Sequence, residues 1–252
     1  MSARRRLDAE LVRRGLAASR AQAGALVDDR RVLVNGAVAD KTARLVAVGD
    51  NLSVAGPPLR FVGRGGEKLD AALAHFSVDV TGRRVLDCGA STGGFTDCLL
   101  SRGAAHVVAL DVGHGQLHPR LRDDRRVTVL ERTNIRHTSR DTIGGAVDAV
   151  VVDVSFISLA AVIPALVPLC HPGADMVMLV KPQFEAGRVE VSRGRGVITD
   201  PAVHDRVRTE VADAIVANGC SVVAWMDSPL RGGDGNREFL VHARAPGQAT
   251  VA

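Results

Sequence analysis

"VLDCGASTGGFTD", residues 85–97, decides how this chain is read. An apolar run closes on Asp87, and a loop carrying Gly89, Gly93 and Gly94 leads into a helix-forming stretch. Glycines at a strand-to-helix turn let the backbone and the helix N-terminus approach a ligand closely. The stretch predicts a nucleotide-type cofactor. Its spacing, G-A-S-T-G-G, fails the dinucleotide fingerprint G-x-G-x-x-G. A carboxylate at Asp87 would repel a pyrophosphate but suits the positive amino and sulfonium groups of S-adenosyl-L-methionine. Asp111 ends the next apolar run, "HVVALDVG", 24 residues further on. An acid there can hydrogen-bond both hydroxyls of a ribose.

Outward from this loop, residues 64–245 alternate strand and helix. "RVTVLER", "VDAVVVDVSF" and "ADMVMLVKPQ" are near-continuous apolar strands. "GFTDCLLSRG", "SLAAVIPALVPL" and "DPAVHDRVRTEVADAIVANG" read as helices, and "SVVAWMDSPL" and "REFLVHARA" close the series as strands. Unbroken apolar strands between helices imply an α/β fold with a doubly wound, mostly parallel sheet covered on both faces.

Residues 6–54 form a different, smaller α+β unit. "LDAELVRRG" puts Leu7, Leu11 and Val12 on one helical face and stops at Gly15. A second helix starts at a Ser19 cap. "VLVNG" turns at Asn35–Gly36, a strong hairpin signal, and two further strands flank Gly49–Asp50. The chain divides into residues 1–59, a linker at 60–63 within the Pro- and Gly-rich "GPPLRFVGRGG", and residues 64–252. Residues 1–60 hold 11 Lys+Arg against 6 Asp+Glu, a net of +5, while the remainder nets −1. A basic module on a near-neutral larger one suggests attachment to a polyanion.

Lys+Arg number 32, of which three are lysines: Lys41, Lys68 and Lys181. A chain that uses arginine almost everywhere keeps lysine where arginine would not work, and a lysine can give up its proton. Lys68 begins the helix entering the large domain ("RGGEKLDAAL"). Asp153 ends the fourth strand, Lys181 ends the fifth, and Glu238 begins the last ("GNREFLV"). Carboxyl ends of neighbouring parallel strands form the ligand crevice, so Asp153 and Lys181 face the glycine loop. Methyl transfer from a sulfonium is an in-line displacement that needs an oriented, deprotonated acceptor. These four residues are the catalytic candidates.

Composition narrows the alternatives. Six Phe, one Trp and no Tyr argue against RNA binding that depends on aromatic stacking. Cys88, Cys98, Cys170 and Cys220 form no C-x-x-C pair and read as small buried residues of a reducing cytoplasm, with no metal site. "MSARRRLDAELVRRG" lacks the apolar core of a signal peptide. The longest apolar run, 159–170, is short and holds two prolines, so no membrane span is expected.

Several stretches resemble known families. "RLDAELVRRGLAASRAQAGALV", "VLVNGAVADK" and "VAVGDNLSV" resemble the S4 RNA-binding domain, which implies phosphate contacts by Arg4, Arg5, Arg6, Arg13, Arg20 and Lys41, with Arg64 beyond the linker. Arg30 stands where that family usually has a helix-ending glycine. The glycine loop resembles class I (Rossmann-like) S-adenosylmethionine-dependent methyltransferases, which implies cofactor contacts at Asp87, Gly89, Ser91, Gly93, Phe95 and Asp111, with Thr133 and Asn134 bordering the adenine. Lys68, Asp153, Lys181 and Glu238 resemble the Lys-Asp-Lys-Glu tetrad of the FtsJ/RrmJ-type ribose 2′-O-methyltransferases. The chain as a whole is similar to the TlyA family, with Gly63 where that family more often has serine. The resemblance implies 2′-O-methylation of cytidines in 16S and 23S ribosomal RNA of the small and large subunits, and capreomycin susceptibility. A non-catalytic ribosome-assembly factor and a membrane-active hemolysin, a label this family often carries, are the rival readings. Base methylation at cytosine carbon 5 would want a cysteine in "DVSF", which has none. Oligomeric state is not legible.

Overall fold

The computed structural model describes residues 4–17, 19–28, 30–56, 60–194, 196–232 and 234–247. The small unit runs β1 (Arg5–Arg6), α1 (Leu7–Arg13), α2 (Arg20–Asp28), β2 (Val32–Val34), β3 (Ala37–Val38), β4 (Leu45–Val46) and β5 (Leu52–Val54). Leu7 and Leu11 of α1 pack with Leu26 and Val27 of α2 over Val32, Val34 and Val46. The Ser19 hydroxyl caps α2 by accepting the Gln22 N–H at 3.1 Å. Asn35 and Gly36 both have positive φ, 53° and 81°, the geometry of a tight turn between β2 and β3. The strands flanking Gly49–Asp50 do not pair with each other: β4 joins β1 and β5 joins β2. Arg30 sits at φ 56° beyond α2, a conformation that costs a residue with a Cβ.

The large unit continues with α3 (Gly65–His75), β6 (Arg84–Cys88), α4 (Gly94–Ser101), β7 (His106–Leu110), α5 (Pro119–Arg122), β8 (Val127–Leu130), α6 (Arg140–Ile143) and β9 (Val147–Val152). Then come α7 (Ile163–Leu166), β10 (Cys170–Val180), α8 (Pro182–Glu185), α9 (Arg188–Arg193), α10 (Pro201–Ala217), β11 (Ser221–Asp227) and β12 (Phe239–Arg244). The seven strands lie in the order β11-β12-β10-β9-β6-β7-β8. Strands β6 to β10 pair in parallel, and β12 runs antiparallel between β10 and β11.

Neighbouring residues on a strand point to opposite faces, and here both faces are apolar. Leu86 and Cys88 meet Ile163, Leu166, Val207 and Val211 on one side. Val85 meets Leu69, Leu73 and Leu99 on the other. The doubly wound architecture expected from the strand pattern is what forms.

Two details differ from expectation. Residues 158–169 are not one helix: 3-10 turns at Leu159–Ala161 and Val167–Leu169 flank the four-residue α7. Pro164 and Pro168 lack the N–H that a continuous helix needs. Residues 60–63 are not a free linker either. Phe61 and Val62 are 3% and 6% exposed and pack in the α3–α4 core, and the Val62 N–H bonds Asp97 Oδ2 at 2.9 Å. Their apolar side chains gain more from that burial than a spacer would. Residues 57–59, at the end of the expected small unit, lie outside the described residues. All four cysteines are buried thiols. Among the described residues no helix is long and apolar enough to cross a membrane.

Candidate active site

The glycine loop leaves β6 and enters α4 beside the end of β9. Gly89 has φ 89°, and a Cβ there would overlap the Asp153 carbonyl. Gly93, at φ 97°, precedes α4, and a Cβ there would run into Leu117 and Leu121. Gly93 therefore shapes the loop from behind. Asp111 clamps it from the next strand, accepting the Ser91 N–H at 2.7 Å and the Gly113 N–H at 2.6 Å. Asp87 is fully buried beneath the loop and accepts the Thr96 hydroxyl at 2.6 Å. Burial pushes its carboxyl up to about 7. It is absent from the walls of both cavities described next.

Two adjoining cavities open at this loop and share Gly89, Ser91, Gln116, Asp153 and Ser155. The first, about 490 Å³, is lined by Phe95, Arg64 and all four catalytic candidates. The second, about 380 Å³, has Asp111, Thr133 and Asn134 beside apolar Leu110, Val112 and Ile157. A carboxylate at the rim of an apolar slot, next to a glycine cradle, fits the ribose, adenine and amino-acid parts of S-adenosylmethionine. Of the predicted cofactor set, Gly89, Ser91, Phe95, Asp111, Thr133 and Asn134 line cavity walls, whereas Asp87 and Gly93 support the loop from outside them.

The four charged candidates converge from four elements as two ion pairs. Lys68 Nζ lies 2.5 Å from Glu238 Oε2, with side chains 8% and 2% exposed. Lys181 Nζ lies 2.6 Å from Asp153 Oδ1 and donates to Ser155 Oγ at 3.0 Å. Pairing is what allows such charges to be buried. The strand ends explain the meeting. β9 and β10 are neighbours, and β12 lies against β10 in the opposite sense, so Glu238 at its start comes beside Lys181.

The arginines of the small unit are less uniform than expected. Arg6 and Arg20 both bond Asp8, which is 4% exposed, and Arg13 bonds Glu10, which is 1% exposed. Arg14, not predicted, also bonds Glu10 and reaches the Asp50 carbonyl at 2.6 Å. The arginine bonds hold both carboxyls down at about 2, against the opposing effect of burial. Arg4, Arg5 and Lys41 are exposed.

Several residues at the site escaped sequence reasoning. Ser155 holds Lys181, and Gln116 lines both cavities. Phe156 is 91% exposed at φ 65° on the second cavity, its ring 5.0 Å from that of Phe184. Scarcity of aromatics argued against stacking, yet one of six phenylalanines stands in solvent beside Asp153. Its place after Asp153 in "DVSF" was the available signal.

Comparison with known proteins places the chain among methyltransferases. The FtsJ-like methyltransferase family matches residues 61–245, and the S4 domain matches residues 5–52. The chain is 51% identical over 245 residues to the 16S/23S rRNA (cytidine-2′-O)-methyltransferase TlyA of Mycobacterium tuberculosis, covering 97% of this chain and 91% of the relative. It is 38% identical to Hemolysin A of Brachyspira hyodysenteriae, over 94% of this chain and 98% of that protein. A solved structure of a hemolysin-named protein from Streptococcus thermophilus superposes with TM-score 0.77 at 40% identity, covering 100% of this chain and 92% of that one.

Proposed function

This chain belongs to the TlyA family, FtsJ-like methyltransferases preceded by an S4 domain, and from that premise we propose how its residues perform the reaction. It is an S-adenosyl-L-methionine-dependent ribosomal RNA 2′-O-methyltransferase. Its targets in our reading are cytidines of both subunits, and its place of work is the cytoplasm where ribosomes are assembled.

The observation that carries the mechanism is the single cavity shared by Lys68, Asp153, Lys181 and Glu238. S-adenosylmethionine supplies an electrophilic methyl group. Gly89 and Ser91 would cradle it, Asp111 would hold its ribose, and Thr133 and Asn134 would border its adenine. Once its ammonium has given up a proton, Lys181 accepts the proton of the RNA 2′-hydroxyl at Nζ while that oxygen takes the methyl group. Asp153 and Ser155 aim Nζ. The Lys68–Glu238 pair, in the same cavity, orients the hydroxyl. Phe156 offers the target base a ring face. Arg4, Arg5 and Lys41 contact phosphates, Arg6, Arg13 and Arg20 add their outer edges, and Arg64 meets RNA at the cavity mouth.

The test is transfer of labelled methyl groups from S-adenosylmethionine to purified ribosomal subunits, mapped by resistance to alkaline cleavage. Label on a ribose, lost in Lys181→Ala, supports the reading. Label on a base overturns it.

A further inference from the structure

Lys181 and Asp153 stand on separate loops. The last ladder pair between β9 and β10 is Val152–Met178, and both loops begin beyond it. One carboxylate spans the gap. Glu185, at the end of α8, accepts the Ser158 hydroxyl at Oε2 (2.5 Å) and the Leu159 N–H at Oε1 (2.9 Å). It is half-buried, and burial raises its carboxyl above the usual range. An unhelpful carboxylate would be expensive there.

The contacts beside this clamp each take one member from each loop. Lys181 meets Asp153 and Ser155, and Phe184 meets Phe156. We propose that Glu185 is a positioning residue that locks the loop after β9 to the turn after β10, setting Lys181 in register with Asp153 and Phe184 with Phe156. This rests on the reading of Lys181 as the proton acceptor. The physical reason is leverage. Glu185 lies one helical turn from Lys181, so a slip at the clamp moves Nζ relative to its partners. Misplacement by about 1 Å can cost on the order of 100-fold in rate.

The test compares Glu185→Ala, Glu185→Gln and Ser158→Ala with wild type in methyl transfer to ribosomal subunits, alongside S-adenosylmethionine binding and thermal melting. Glu185→Ala should lose about 10- to 100-fold in kcat while cofactor affinity holds. Glu185→Gln keeps an acceptor for Leu159 and can donate to the Ser158 oxygen, so it should recover most of the rate. Ser158→Ala should lose less than Glu185→Ala, and the double variant should be no worse than Glu185→Ala. If Glu185→Ala does not fold, Ser158→Ala and Glu185→Gln decide: unchanged kcat in Ser158→Ala overturns the clamp. A kcat loss in Glu185→Ala matched by an equal loss of cofactor affinity also overturns it. A wild type that methylates no ribose defeats the reading of Lys181, and the clamp with it. Wild-type activity with full activity in Glu185→Ala defeats the clamp alone.

Discussion

Two regions of this molecule bury carboxylates against cations, and they choose different cations. In the small unit Asp8 and Glu10 are held by Arg6, Arg20, Arg13 and Arg14. In the large cavity Asp153 and Glu238 are held by Lys181 and Lys68. Arginine binds a carboxylate through two N–H groups and keeps its charge, so its pairs are mechanical. Lysine presents one compact nitrogen that can exchange a proton. Two of the chain's three lysines line the cavity where the proposed reaction would take place, while arginines hold the acids of the small unit.

The largest test of that division is Lys181→Arg. It keeps the charge and the Asp153 pair but cannot accept a proton, so kcat should fall by about 10²- to 10⁴-fold with little change in melting temperature. Single-turnover methyl transfer checks it, and a variant retaining most of the rate would break the comparison. The reverse exchange in the small unit, Arg14→Lys, should leave kcat intact and lower the melting temperature slightly.

Acid sharpens the contrast next. Asp8 and Glu10 titrate near 2 when folded, below their ordinary values, so their contribution is present above about pH 4 and lost as pH falls through about 2. Hydrogen exchange should show α1 losing protection before the central strands of the large sheet.

Asp87 is fully buried with no cation beside it among the described residues, and its sign is opposite. Its folded value, about 7, exceeds its unfolded value of 3.8, so the folded state keeps a proton that the unfolded chain has released. The associated stability, on the order of a few kcal/mol, is full below about pH 4 and lost as pH rises to about 7. Asp87→Asn should abolish that slope in denaturant titrations and be the more stable protein at pH 8. Smallest is Arg30→Gly. Relief of the positive φ should stabilise the small unit by about 1 kcal/mol, less what a freer unfolded chain takes back.

Much of the site was legible because parallel strands obey a strong rule. Residues ending adjacent strands, such as Asp87, Asp111, Asp153 and Lys181, come to one edge whatever the loops do. Periodicity was equally plain for α1, α2 and α10. What could not be read depends on partners distant in sequence. Phe61 and Val62 sit in a Pro- and Gly-rich stretch, yet their burial is decided by α3 and α4. The pairing of Arg6, Arg13 and Arg20 with buried acids turned expected RNA contacts into clamps with one open edge. Residues 158–169 were apolar enough for a helix, and the spacing of two prolines broke it.

The sequence by itself determined the two-part plan, the cofactor loop and the four charged residues, because glycine spacing, apolar period and rare lysines are local facts. Only the tertiary structure decided who partners whom: Lys68 with Glu238, Lys181 with Asp153 and Ser155, Glu185 with the loop after β9. Those bonds join residues up to 170 positions apart, and a charge selects its partner by distance and burial, which exist only once the chain has folded.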